Sequence, residues 1–98
     1  MLAIDGKVAL VTGATRGIGK AIALQLASQG AVVIGTATSD SGAQSITEAL
    51  KGAGNAGMGM VLNVSSAESV DATLKAIVEA FGAPTILVNN AGITRDNL

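Results

Sequence analysis

Four short apolar runs, at residues 7–12, 32–36, 58–63 and 85–89, divide the chain, and each of the three gaps between them carries a stripe of helical period. The first stripe has Ile18, Ile22 and Leu26 and ends near Gly30. The second has Ala43, Ile46 and Leu50 and ends near Gly52 or Gly54. The third has Val70, Leu74, Ile77 and Phe81 and ends at Gly82. Each stripe aims one apolar face at a sheet. The runs between them are rich in Val, Ile, Leu and Ala, as suits strands covered on both sides. Ser39, Asp40 and Ser41 are available to start the second helix, and Ser65 and Glu68 have capping-box spacing for the third. Gly30 and Gly82 supply the left-handed residue that closes a helix. Pro84 prevents the third helix from continuing.

The order is therefore βαβαβαβ. Parallel strands need crossover connections, and right-handed crossovers put helices on both faces of the sheet. The expected fold class is α/β, a Rossmann-type doubly wound parallel sheet in order 3-2-1-4. Its 98 residues suit one domain, spanning 1–98. Phe81 is the single aromatic, so the core must be aliphatic.

Composition narrows the chemistry further. Net charge is −1, which leaves no basic field for a phosphate backbone, so nucleic acid is not an expected partner. There is no Cys and no His, which removes thiolate and imidazole chemistry together with the usual zinc ligands. The amino-terminal stretch lacks the basic start of a secretory signal. No apolar run approaches the roughly 18–20 residues that span a bilayer, so a soluble, cytoplasmic protein without a membrane partner is expected.

The first strand runs into Thr12-Gly13-Ala14-Thr15-Arg16-Gly17-Ile18-Gly19. This is neither G-x-G-x-x-G nor a P-loop, since Ala21 follows Gly19-Lys20 and Ala14 stands where a P-loop has its leading Gly. The physics of such a loop still points to phosphate. Small residues let backbone N–H groups approach a pyrophosphate, and the following helix aims its N-terminus at the same place. Thr15 adds a hydroxyl and Arg16 a positive charge. The fourth run ends in Asn89-Asn90-Ala91-Gly92. In order 3-2-1-4, strands 1 and 4 are neighbours whose connections leave to opposite faces, so Gly13 and Asn90 converge on one crevice.

On these two motifs the chain resembles the short-chain dehydrogenases/reductases, over its whole length. The resemblance implies a cofactor site made of Gly13, Ala14, Thr15, Arg16, Gly17, Ile18 and Gly19, with Asn90, Ala91 and Gly92 beside a ribose. It adds Thr38, and Asn63 and Val64 beside the adenine; Asn63 stands where many relatives have Asp. An NAD site usually has an acid at the end of strand 2. Here the strand ends Gly35-Thr36-Ala37-Thr38-Ser39, with hydroxyls instead, and Asp40 reads as a helix cap. Arg16 is placed to pair with a 2′-phosphate. The expected cofactor is NADP, as NADPH.

Residues 33–39 and 89–98 look like those of the 3-oxoacyl-acyl-carrier-protein reductases of fatty-acid biosynthesis. That resemblance implies an oxidoreductase reducing a 3-oxoacyl group on acyl carrier protein to the 3-hydroxyacyl product, in a homo-oligomer that is commonly a tetramer. The alternatives are a non-catalytic nucleotide-binding fragment, an apolar assembly unit in which the glycine loop is only structural, and a reductase of another substrate. The family's Ser, Tyr and Lys lie beyond residue 98, and this chain has no Tyr. No catalytic residue and no metal ligand is therefore assigned, and Lys20, Lys51 and Lys75 read as solvent-facing. The expectation is an NADP-binding portion whose catalytic half is absent, inactive alone, with Leu98 a truncation point and strand 4 an apolar edge inviting association.

Overall fold

The computed structural model describes residues 4–15 and 17–90. It contains β1 (Val8–Thr12), α1 (Gly17–Ser28), β2 (Val32–Ala37), α2 (Asp40–Gly52), β3 (Met58–Val61), α3 (Ala67–Phe81) and β4 (Ile86–Asn89). The four strands form one sheet ordered β3-β2-β1-β4, and every pairing is parallel. This is the expected Rossmann-type order.

Two apolar layers sandwich the sheet. On one face Ala9, Val11, Val33 and Ala37 meet Ala23 of α1 and Ile46 and Leu50 of α2. On the other, Val8, Leu10 and Ile34 meet Ile77 of α3, with Leu74 and Phe81 packed beside it. All five residues of β1 are buried, because the central strand has a neighbour on each side and a helix layer on each face. The stripes of α2 and α3 thus face the sheet as their spacing predicts.

The stripe of α1 is rotated from its expected position. Ile18 is 67% exposed, and the buried residues of the helix are Gly19 and Ala23. Ile22, Leu26 and Ala27 pack partly against the same layer. The smallest side chains lie nearest the sheet, which lets the helix backbone come close. Apolar periodicity tracks large side chains and so places the face one residue off.

Two caps also differ from expectation. Ser66, not Ser65, caps α3, its side chain accepting the Ser69 N–H at 3.2 Å. Ser65 instead turns its N–H and hydroxyl to Asn63 Oδ1, at 3.0 and 2.6 Å. That turn ends β3 at Val61, two residues before its expected end. Ser39 caps α2 by accepting the Gly42 N–H at 3.1 Å, and Asp40 is the first helical residue rather than the cap. Ser66→Ala is expected to lower stability by about 1 kcal/mol, and Ser65→Ala by less. Denaturant unfolding of the two variants checks the assignment.

The outer edge of β3 is shielded by α2. The Gly59 N–H donates to Thr47 Oγ1 at 2.9 Å, and a Cβ on Gly59 would run into the Ala43 carbonyl. Glycine there lets helix and strand backbones touch, which occupies an edge that would otherwise invite pairing. The opposite edge, β4, alternates half-buried and exposed residues, with Leu87 67% exposed. Among the described residues no helix is long and apolar enough to cross a membrane.

Candidate functional site

The carboxyl ends of β1, β2 and β3 open on one cleft of about 400 Å³, lined by Gly13, Thr15, Thr36, Ala37, Thr38, Val61, Leu62, Asn63 and Val64. The loop after β1 forms one wall. Gly13 and Gly17 both have φ of +65°, a conformation that side chains disfavour. The two positive-φ residues turn the chain out of the strand and into α1.

Past the strand end the regular ladder gives way to two bonds onto Thr36. The Ala14 N–H donates to the Thr36 carbonyl at 2.9 Å, and the Gly13 N–H to Thr36 Oγ1 at 3.3 Å. Thr15 sits under the start of α2: a Cβ on Gly42 would lie 2.9 Å from Thr15 Cγ2. Thr38 follows the last residue of β2 and is exposed. Asp40 lies in the first turn of α2 rather than at the strand end, so no acid occupies that end. No charged side chain among the described residues lines the cleft, whose polar side chains there are the hydroxyls of Thr15, Thr36 and Thr38 and the amide of Asn63.

Asn90 joins the two motifs. It is 7% exposed, and its Nδ2 donates to the Gly13 carbonyl at 3.0 Å across 77 positions of sequence. Beside it, Thr12 Oγ1 donates to Asn89 Oδ1 at 3.2 Å. The register pairs Thr12 with Asn89, so parallel pairing itself delivers both motifs to the same end of the sheet. Gly19 completes the junction: a Cβ there would strike the Gly13 carbonyl and lie 2.5 Å from Asn90 Nδ2. The junction excludes any larger residue at position 19.

Of the residues singled out from sequence, Gly13, Thr15, Thr38, Asn63 and Val64 line the cleft. Ala14 and Gly19 are buried behind the loop, whereas Gly17 and Ile18 are exposed at its outer turn. Arg16, Ala91 and Gly92 lie outside the described residues. Sequence reasoning missed Thr36, Ala37, Val61 and Leu62. For Thr36 a signal existed, since it is a hydroxyl residue at the carboxyl end of the second apolar run, where the crevice of a sheet in this order opens.

The family profile described as short chain dehydrogenase matches residues 7–98. The chain is 66% identical over 97 residues to the 3-oxoacyl-acyl-carrier-protein reductase FabG of Pseudomonas aeruginosa, covering 99% of this chain and 39% of that relative. It is 66% identical over 95 residues to the reductase of the same name from Vibrio cholerae, covering 97% of this chain and 38% of the relative. For the Escherichia coli protein of that name the identity is 58% over 94 residues, covering 96% and 37%. The chain therefore spans less than two fifths of the length of these relatives.

Proposed function

Because the chain belongs to the short-chain dehydrogenase family, we propose that its cleft binds NADPH and that the whole protein reduces 3-oxoacyl groups carried on acyl carrier protein, as its relatives' names say of them. The observation that carries the cofactor reading is the Asn90–Gly13 bond. It holds the glycine loop and the end of β4 as one surface at the crevice where dinucleotides bind in folds of this order.

In this reading Gly13 to Gly19, Arg16 included, surround the pyrophosphate, with the N-terminus of α1 supplying N–H groups and a positive dipole end. Thr38 and Arg16 receive the 2′-phosphate. Asn63 and Val64 flank the base. Asn90 holds the loop through its amide nitrogen, which leaves Oδ1 for the ribose, and Ala91 and Gly92 let the chain pass close to it. The residues fit the group: three threonine hydroxyls, an amide and aliphatic side chains line the cleft, and among the described residues no carboxylate there would repel a phosphate. When bound, NADPH supplies the hydride. The reduction also needs a proton for the developing alkoxide, and none of the described residues lining the cleft is a Tyr, Lys, Asp or Glu.

The test of cofactor choice is Thr38→Asp. A carboxylate at that place repels a 2′-phosphate and accepts a bond from a 2′-hydroxyl. The ratio of NADPH to NADH affinity, followed by nicotinamide fluorescence, is expected to fall about tenfold or more. An unchanged ratio would remove the 2′-phosphate from Thr38. A folded wild-type protein that binds neither nucleotide would overturn the site itself.

A further inference from the structure

We infer that Thr36 is a positioning residue for the glycine loop, setting where the loop meets a pyrophosphate. The inference rests on the cleft being a dinucleotide site and deepens that reading. Its basis is the place where β1 leaves the sheet. Up to Val11, which pairs with Gly35, the β1–β2 ladder is regular. At Gly13, with φ of +65°, the backbone swings out and the ladder pattern fails. Thr36 then takes two consecutive loop N–H groups, its carbonyl receiving that of Ala14 at 2.9 Å and its hydroxyl that of Gly13 at 3.3 Å.

One residue thus terminates the ladder and sets the loop's exit angle. It is 2% exposed and held on both sides, pairing with Met60 of β3 within β2. The hydroxyl is the only part of a Thr side chain that can accept the Gly13 N–H, while the β-branched shape suits the strand. Val has that shape without the acceptor and strands the donor. Gly13 is gripped on its other side by Asn90 at 3.0 Å, so the first residue of the loop is pinned from β2 and from β4. Both pins act on the part of the site that meets phosphates, while Thr38 and Asn63 lie along the rest of the cleft.

Thr36→Val and Thr36→Ser, in the otherwise unchanged protein, separate positioning from general support. Two ligands are titrated well below the unfolding temperature: NADPH, and adenosine 2′-monophosphate, which has the base, ribose and 2′-phosphate but no pyrophosphate. Thr36→Val is expected to weaken NADPH about tenfold or more while leaving the monophosphate within about twofold, and Thr36→Ser to restore NADPH affinity. Equal weakening of both ligands, or none of either, would overturn the positioning role, as would failure of Ser to restore binding. If the wild-type protein binds neither ligand, the dinucleotide reading fails instead, a result distinct from any of these. A Thr36→Val variant that does not fold leaves Thr36→Ala as the comparison, judged on the same two ligands.

Discussion

Gly19→Ala is expected to abolish measurable NADPH binding and to destabilise the protein by about 3 kcal/mol. The added methyl would occupy the point where the Gly13 carbonyl and Asn90 Nδ2 meet. Neither neighbour gives way cheaply. Gly13 is backbone, already bonded to Thr36, and Asn90 is 7% exposed at the end of a paired strand. Accommodating the methyl means tilting α1 away from the sheet or breaking the Asn90 bond. Either change moves the helix N-terminus from the loop. Gly17→Ala is the control: a Cβ there meets open space but would sit at a φ of +65°. It is expected to cost about 1 kcal/mol and to weaken binding less. Denaturant unfolding and a fluorescence titration of each variant check the pair, and equal effects at the two positions would contradict the junction described here.

Asn55→Ala is expected to cost about 2–4 kcal/mol while leaving the nucleotide affinity of the folded protein unchanged. Asn55 stands in the loop before β3, at the end of the sheet away from the cleft. Its Oδ1 accepts the N–H groups of Val33 at 3.1 Å and Gly57 at 2.9 Å, and its Nδ2 donates to the Ala31 carbonyl at 2.7 Å. The β2–β3 pairing begins only at Ile34 with Met58, so the side chain stands in for strand backbone one residue early. Ala31 and Val33 are fully buried, so truncation leaves polar backbone groups without water or partner. Gly57 passes so close that a Cβ on it would collide with the Val33 carbonyl, which leaves the loop little room to reseal. Stability and affinity should therefore separate in this variant and fall together in Gly19→Ala. An Asn55→Ala protein of wild-type stability would show that the loop finds other partners.

Much of this is legible in the sequence alone. The strand–helix alternation implied the sheet order, because right-handed crossovers leave few alternatives. The order in turn implied that Gly13 and Asn90 share a crevice, and the register of Thr12 with Asn89 bears that out. The faces of α2 and α3 followed from Ile46, Leu50 and Ile77, whose bulk makes the apolar stripe unambiguous. The face of α1 did not, because its contact residues, Gly19 and Ala23, are the small ones that hydropathy weighs least. The cap of α3 was misplaced by one residue for a related reason. Ser65 and Ser66 are chemically alike, and the choice fell to Asn63, which holds Ser65 in the preceding turn.

Local chemistry along the chain was enough to set the elements, their order and the two motifs that meet, because glycine spacing, apolar period and crossover handedness are short-range rules. What waited for the folded chain was everything that depends on distances between segments: Thr36 reaching back to Gly13, Asn55 standing in for a strand, and Gly19 as the glycine with no room beside it. Each is a contact between residues remote in sequence, at a tolerance finer than one methyl group. No pattern of residue types carries that information, because it arises only when packed backbones come within hydrogen-bonding reach.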